Sequence, residues 1–358
     1  MKKLIKMEII LIILIIIFGT SFVLINENEK EDKYEESIIL GAEWFLNNQD
    51  ENFIYYRYDP QNELYPAEHH PLREAASLWS IADSANFLGD ERLTRLSEKG
   101  FQYFEKYFGY NSEYDYYYLD ITPGNVKLGY SAFIILALLE MEHPRKETYL
   151  NGFANGIVYL QNDDGSLGTY FFSNKSTGQD YYPGEALFAI MSLYEYNGDE
   201  KYLEVTQKAF PHYRDYWRGN KNTAFVPWQS RAYNKLYKVT EDQEVSDFVF
   251  EMNDWMLQQH HPEGLCEKYD FSRGVVTGVY LEGVIQAYEL AEITGDNERK
   301  KCYKNFIIEG LDATILLQIT EGTKEAIGGF VGTDGTVRVD RNQHALFALI
   351  EAIELGII

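Results

Sequence analysis

Two glutamates occupy equivalent places in the sequence. Glu185 lies thirteen residues before Gly198, in "YYPGEALFAIMSLYEYNG", and Glu282 lies thirteen residues before Gly295, in "TGVYLEGVIQAYELAEITG". Each begins an apolar run of helical period, and a carboxylate is costly in a stripe that faces a core. Two carboxylates at one height could instead perform acid and base catalysis. The alternative is that each only complements the macrodipole at its helix N-terminus.

Other polar and aromatic side chains fall at nearly the same height on further helical runs. They are Arg73 and Glu74 in "HHPLREAASLW", Tyr181 and Tyr182 before Glu185, Trp228, Gln229 and Arg231 in "VPWQSRAY", and Asp340, Asn342, Gln343 and His344 in "RVDRNQHALFAL". Aromatic faces stack on sugar rings, carboxylates transfer protons and guanidinium groups bind anions. A helix cap or an ion pair explains each residue singly. Together they predict a pocket for a polar substrate.

The first reaction that these residues fit is glycoside hydrolysis, in which an acid and a base flank the scissile bond. Glu185, Glu282 and Asp340 are the predicted catalytic residues. Because the helix macrodipole lowers the pKa of a carboxylate at a helix N-terminus, Glu185 is assigned as the base, and Glu282 or Asp340 as the acid. The predicted substrate-binding residues are Arg73, Glu74, Tyr181, Tyr182, Trp228, Arg231 and His344. No metal or cofactor is expected.

Two other functions stay open. In C5 epimerisation or β-elimination on a uronate, Tyr181, Tyr182 and His344 would exchange protons while Arg73 or Arg231 binds the sugar carboxylate. A third possibility is a glycan-binding subunit of an envelope complex, which would bind saccharide without turning it over. The partner is a polysaccharide or oligosaccharide in each case.

Short Gly-Asp turns divide the chain into helical units. Gly89-Asp90, Gly198-Asp199 and Gly295-Asp296 each follow one apolar periodic run and precede another. Glycine readily adopts the left-handed conformation that ends a helix, and aspartate accepts hydrogen bonds from the free N–H groups that begin the next. These dipeptides therefore predict helix boundaries.

Six helix pairs follow from this division. They cover about 36–50 with 70–88, 91–108 with 126–141, 146–161 with 182–197, 200–217 with 227–239, 242–259 with 276–294, and 297–318 with 340–356. An open solenoid is the alternative, but six hairpins favour a closed ring, an all-α (α/α)6 toroid. The long connections carry turn signals and aromatic residues, so functional loops are expected at one end of the ring.

Composition narrows the class of ligand. The chain has 358 residues, a formal net charge of −24 and 15% aromatic residues, of which 29 are tyrosines. A nucleic-acid-binding protein needs a basic face to match phosphate, so this balance argues against nucleic acid as a partner. Neutral or cationic ligands, and sugars stacked on aromatic rings, remain compatible with it.

The N-terminal segment predicts export. Lys2, Lys3 and Lys6 precede an apolar stretch over 9–25, and an acidic segment follows it. This charge order places the N-terminus inside and the remainder outside. Cleavage near Gly19 to Ser21 would make the protein secreted, but we favour an uncleaved transmembrane signal anchor. The predicted domains are therefore a tether over 1–30 and the toroid over 36–358.

Cys266 and Cys302 are the only cysteines in the sequence. Their spacing fits no metal motif. An oxidising exterior would permit a disulfide between them. The sequence does not give the separation of the two residues in the fold, so we favour two unpaired thiols and leave the disulfide open.

The six-hairpin plan, "YYPGEALFAIMSLYEYNGDEKYL" and "GGFVGTDGTVRVDRNQHALFALIEA" together resemble an uncharacterised prokaryotic branch of the six-hairpin glycosidase-like superfamily. The resemblance covers about 36–358. It implies the toroid, and it implies carbohydrate chemistry of several kinds, because the group includes glycoside hydrolases, unsaturated-uronide hydrolases, polysaccharide lyases and the C-terminal domain of D-glucuronyl C5-epimerases. No catalytic motif of these families transfers residue by residue, since a fold does not fix a reaction.

A second class of toroid is similar in one respect. Glutamines end the first helix of four units, at Gln49, Gln161, Gln259 and Gln318, which resembles terpene-cyclase-like proteins. Those enzymes need an Asp-rich motif and an apolar cavity, whereas the predicted mouth here is polar and no such motif occurs. A hydrogen bond that closes each hairpin is the simpler explanation of the glutamines.

Overall fold

The computed structural model describes residues 33–260, 266, 269–271, 274 and 276–358. The predicted membrane span over 9–25 and its cleavage site lie outside these residues and stay predictions. Within the described part, every helix is too short or too polar to cross a membrane.

The described chain is mostly helical, with twelve helices and 63% of residues in helix. Helix α1 covers 33–47. The others are α2 (Pro71–Leu88), α3 (Glu91–Glu105), α4 (Leu128–Glu140), α5 (Lys146–Tyr159), α6 (Tyr182–Asn197), α7 (Glu200–Gly219), α8 (Val226–Thr240), α9 (Gln243–His260), α10 (Val276–Thr294), α11 (Asn297–Ile315) and α12 (Val339–Glu354). These bounds agree closely with the six predicted pairs.

The even-numbered helices form a closed inner ring. Each packs against the next, from α2 through α4, α6, α8 and α10 to α12, and α12 packs back onto α2. An inner helix therefore has neighbours on nearly all sides, so it must be apolar all round. Helix α4 meets this demand, because every residue from Leu128 to Leu138 is buried. The closure is that of an (α/α)6 toroid, as the sequence predicted.

The outer helices pack in a different phase from the predicted pairs. Helices α3, α5, α7, α9 and α11 each pack mainly against the inner helix that precedes them, and only lightly on the one that follows. The reason is the length of the connection, since a short turn holds two antiparallel helices together and a long loop does not. The closest helix pairs are therefore those joined by the short turns.

The Gly-Asp turns have the predicted geometry. Gly89 and Gly198 end α2 and α6 in the left-handed conformation, with φ of 63° and 71°. Asp90, Asp199 and Asp296 then act as N-caps, each accepting a hydrogen bond from a backbone N–H of the helix that follows. These caps satisfy donors that a helix N-terminus otherwise leaves free.

Two of the four repeated glutamines connect neighbouring outer helices. Gln161 at the end of α5 donates a hydrogen bond to the carbonyl oxygen of Val205 in α7, at 2.8 Å. Gln318, after α11, donates to the carbonyl oxygen of Ser37 in α1 at 2.9 Å. The expectation that these glutamines close their own hairpins was therefore too narrow, since both bonds reach the next unit. The second bond also joins the last outer helix to the first.

Two short antiparallel pairings lie in the long connections. Strand β1 (Arg57–Tyr58) pairs with β4 (Val337–Arg338), and β2 (Phe108–Asn111) pairs with β3 (Tyr116–Leu119). The first pairing ties the loop after α1 to the segment that enters α12. It therefore fixes the start of α12, where several predicted site residues lie.

The two cysteines form a disulfide. Cys266 and Cys302 are bonded, and their Cα atoms are 4.6 Å apart. The preference for unpaired thiols was therefore wrong, because the fold brings the connection between α9 and α10 against α11. This separation lies within the range that a disulfide spans.

Candidate active site

A cavity of about 600 Å³ opens at the end of the ring where the inner helices begin. Its lining comes from all six inner helices or the residues just before them, with Phe133 as the contribution of α4. This lining includes His70 and Arg73 near the start of α2, Tyr181, Tyr182 and Glu185 at α6, Trp228 of α8, Tyr280 of α10, and Arg338, Asp340, Gln343 and His344 at α12. The predicted gathering of polar groups at one end is thus present in the fold.

Glycines let the inner helices approach one another closely around the cavity. A Cβ atom at Gly278 of α10 would lie 3.2 Å from the backbone nitrogen of Ala345 in α12. At Gly129 of α4, an added Cβ would collide with Oε2 of Glu185. The missing side chain at Gly129 therefore makes the space that the Glu185 carboxyl group occupies.

Glu185 lines the cavity from a nearly dry position. The residue is 4% exposed, and its Oε2 has no hydrogen-bond partner among the residues that the structure describes. Burial raises the pKa of Glu185 to about 8, although the positive charge of Lys127 opposes the rise. The sequence argument predicted a lowered pKa from the helix macrodipole, and that prediction was wrong because desolvation is the larger effect here. At neutral pH the group is protonated, which suits an acid.

Glu282 lies behind the cavity wall and does not reach the cavity. It is fully buried, and its Oε1 is 2.6 Å from Nδ1 of His344. Its Oε2 accepts a hydrogen bond from Arg231 at 2.9 Å. The expectation that Glu282 faces the substrate was therefore wrong, since two cationic or donor side chains occupy both of its oxygens.

His344 forms part of the wall in front of Glu282, and its ring packs edge-on against Trp228, with ring centroids 6.2 Å apart. A carboxylate beside Nδ1 favours the tautomer that carries its proton there. The second ring nitrogen, Nε2, is then the acceptor. This arrangement makes His344 able to take a proton from a bound ligand.

Asp340 is held by two guanidinium groups. Arg338 donates to both carboxylate oxygens, at 3.0 and 2.8 Å, and Nε of Arg73 lies 3.3 Å from Oδ2. Arg73 also donates to the hydroxyl of Tyr56 at 2.5 Å. Beside them, burial and the charge of Arg73 lower the pKa of His70 to about 4, so this imidazole is neutral. Arg73 and Asp340 both line the cavity as predicted, but as members of one ionic network.

Glu74 and Arg231 were predicted to contact substrate, and neither lines the cavity. Glu74 is buried and accepts a hydrogen bond from the backbone N–H of His70 at 2.9 Å, so it caps the start of α2. Arg231 is 1% exposed and pairs with Glu282 and Glu351. Both predictions were wrong because groups away from the cavity bind these side chains, a backbone N–H in the case of Glu74 and two carboxylates in the case of Arg231.

Sequence reasoning missed several residues of the site. Lys127, just before α4, lowers the pKa of Glu185, and Arg338 holds Asp340. The available signals were the lone cation at the start of "VKLGYSAF" and the arginine two residues before Asp340. In the part of the chain that the structure describes, no group of three His, Cys, Asp or Glu side chains is placed to hold a metal ion.

Several solved structures are similar to this fold. The α-1,6-mannanase GH76A of Salegentibacter sp. HEL1_6 is 13% identical with a TM-score of 0.63, and the match covers 91% of this chain and 98% of that one. Cellobiose 2-epimerase from Bacillus thermoamylovorans B4167 is 15% identical with a TM-score of 0.63, over 92% and 100% of the two chains. This chain has the same fold as these two structures.

A structure of D-mannose isomerase is also similar to this fold, with 14% identity and a TM-score of 0.65 over 92% of this chain and 97% of that one. The resemblance stated from the sequence is thus confirmed for the fold. No protein-family model and no curated protein matches the sequence. At these identities the likeness establishes architecture, and the reaction must be argued from the site.

Proposed function

We propose that this chain is a carbohydrate-active enzyme that moves a proton on a saccharide, as sugar epimerases do, with His344 as the base. The observation that carries the proposal is the pairing of His344 with the buried Glu282, at 2.6 Å. An imidazole whose Nδ1 is bonded to a carboxylate is held in one orientation and one tautomer. The carboxylate also stabilises the imidazolium that forms when Nε2 takes a proton.

Glu185 supplies the complementary acid. Since its pKa is about 8, it carries a proton at neutral pH and can donate it. In an epimerisation, Nε2 of His344 removes the proton from a carbon next to a carbonyl group, while Glu185 gives its proton to the carbonyl oxygen. A proton from solvent then adds to the other face of the same carbon while the enol oxygen returns its proton to Glu185, and His344 releases to solvent the proton that it took. Protons and electrons balance without an oxidant or a reductant.

Hydrolysis of a glycosidic bond is the second candidate, and one observation favours it. Glu185 is protonated while Asp340 is held by Arg338 and Arg73, which is the acid and carboxylate pair that hydrolysis needs. The roles then differ from those assigned from the sequence, with Glu185 as acid and Asp340 as base. Relatives of the same fold include proteins named for each of the two reactions.

The proposed ligand is an oligosaccharide. Tyr181, Tyr182 and Trp228 line the cavity and offer aromatic faces to sugar rings, and the cavity is large enough for one or two of them. A variant of the mannanase relative was solved in complex with α-1,6-mannotriose. Export of the protein and its attachment to a membrane remain proposals that rest on the N-terminal sequence alone.

The test is proton exchange in heavy water. The protein is incubated in D₂O with mannose, cellobiose, α-1,6-mannotriose and uronate-containing oligosaccharides, and NMR follows each C–H signal. The proposal expects deuterium at one sugar carbon with one of these substrates, and loss of that exchange in His344→Gln. New reducing ends without deuterium on carbon would support hydrolysis instead. Saturable binding with neither change would identify a glycan-binding protein and refute both enzymatic proposals.

A further inference from the structure

A network of paired side chains continues from His344 through the interior of the ring, and we call it the interior network. Glu282 joins His344 to Arg231, and Nη1 of Arg231 lies 2.6 Å from Oε1 of Glu351. Arg231 and Glu282 are almost completely buried, at 1% and 0% exposure. Basic and acidic side chains alternate along the interior network, so each member is held by a neighbour of opposite charge.

The end of the interior network opposite His344 reaches a second cavity. It has a volume of about 460 Å³ and is lined by Arg231, Glu351 and residues from the C-terminal halves of α2, α4, α6 and α12. Glu351 is thus the member that solvent reaches from the opposite side, with 20% of its side chain exposed. The interior network therefore extends between two cavities at opposite ends of the ring.

We infer that Arg231 and Glu351 are positioning residues that control how readily His344 takes a proton. The inference rests on the proposed function, in which His344 is the base. When Glu351 is ionised, Arg231 is shared between two carboxylates. When Glu351 is neutral, the charge of Arg231 acts on Glu282 alone and opposes a second positive charge on His344. Buried charges interact strongly because little water screens them.

The charges around Glu351 come from every inner helix. They are Asp83 of α2, Glu140 of α4, Glu195 of α6, Arg231 and Lys235 of α8, Glu282 of α10, and Glu354 of α12 itself. Arg231 and Glu282 are the members that continue to His344. Burial raises the pKa of Glu351 to about 7, against the opposing effect of Arg231, so its charge changes within the range where an enzyme works.

The experiment follows the His344 ring directly. Full-length protein is labelled with ¹³C at histidine Cε1, the His344 signal is assigned by its absence in His344→Gln, and its titration is recorded by NMR. Glu351→Gln should move the midpoint of the His344 titration to lower pH by roughly half a unit or more, since it removes a negative charge from the buried interior network. Glu351→Asp keeps the charge and should restore a midpoint near that of the wild type.

Glu195→Gln is the matched control, because Glu195 lines the same cavity and pairs with Lys235, which is not a member of the interior network. An unchanged midpoint in Glu351→Gln, or an equal change in Glu195→Gln, overturns the inference. If Glu351→Gln does not fold, wild-type protein labelled at glutamate Cδ answers the question. The inference then expects the signals of His344 and Glu351 each to show the other's inflection, and independent single inflections would refute it.

The readout also separates the inference from the proposed function. Should the His344 midpoint depend on Glu351 while His344→Gln keeps full proton exchange on sugars, the coupling stands and the proposed function fails. The reverse result, loss of exchange without coupling, leaves the base in place and removes the positioning role.

Discussion

Glu282 lies 2.6 Å from Nδ1 of His344 and accepts a second hydrogen bond from Arg231 at 2.9 Å. Glu185, its equivalent in the sequence, faces the cavity beside Gly129, and its Oε2 makes no hydrogen bond within the described part of the chain. The neighbouring helices make the difference, because cationic or donor groups from α8 and α12 surround one glutamate and a glycine of α4 adjoins the other. One position in the repeat thus carries an ion-paired carboxylate in one unit and a carboxyl group with a raised pKa in another.

Replacing Glu282 by glutamine should destabilise the protein by about 3 kcal/mol, because breaking a buried ion pair leaves a charge without compensation. Arg231 keeps Glu351 as a partner, which limits the loss. Urea unfolding followed by circular dichroism measures the change. Glu289→Gln is the control, since Glu289 pairs with Lys238 at a more exposed place and should cost about 0–1 kcal/mol. Equal losses in the two variants would contradict the buried-pair interpretation.

Replacing Glu185 by glutamine should stabilise the protein at neutral pH while reducing activity by roughly 10² or more. The folded-state pKa of Glu185, about 8, is above its unfolded value, so its contribution to stability is fully present at low pH. That contribution is lost as pH rises from about 4.5 to about 8, with a cost on the order of 3 kcal/mol at pH 7. A glutamine side chain is already neutral in the unfolded chain and needs no proton on folding, so the variant avoids this cost.

Urea unfolding at pH 5 and at pH 8 checks this prediction. The difference in unfolding free energy between the two pH values should shrink in Glu185→Gln relative to the wild type. It should persist in Glu200→Gln, which removes an exposed acid from the first turn of α7. A Glu185→Gln protein that keeps wild-type turnover would show that Glu185 is not the acid.

The sequence predicted the helices well because their signals are local. The Gly-Asp turns and the apolar periods depend on residues a few positions apart, and six repeats predicted closure. It also placed Arg73, Glu185 and His344 at one end. It could not tell that Glu282 turns into the ring or that Glu185 is protonated, because both depend on what the neighbouring helices present. The same reason explains the disulfide, which depends on a distance across the fold.

Removing the charge of Lys127 should change the pH dependence of activity. If protonated Glu185 is the acid, kcat/KM should fall as pH rises through about 8. Lys127 lowers the pKa of Glu185, so Lys127→Met should raise it and move the alkaline fall to higher pH by roughly half a unit or more. Lys175→Met is the control, because that exposed lysine does not act on Glu185 directly. A fall at the same pH in all three proteins would mean that another group limits activity.

Reducing the disulfide should weaken the protein measurably. The bond between Cys266 and Cys302 closes a loop with a sequence separation of 36 residues, and cross-links of this kind stabilise by about 2–4 kcal/mol, chiefly by restricting the unfolded chain. Thermal unfolding of the wild type with and without dithiothreitol should therefore give a lower Tm in the reduced sample. The double variant Cys266→Ser, Cys302→Ser should start at that lower Tm and not respond to dithiothreitol. A reductant-independent Tm in the wild type, with free thiols detected before its addition, would show that the two cysteines are not bonded in solution.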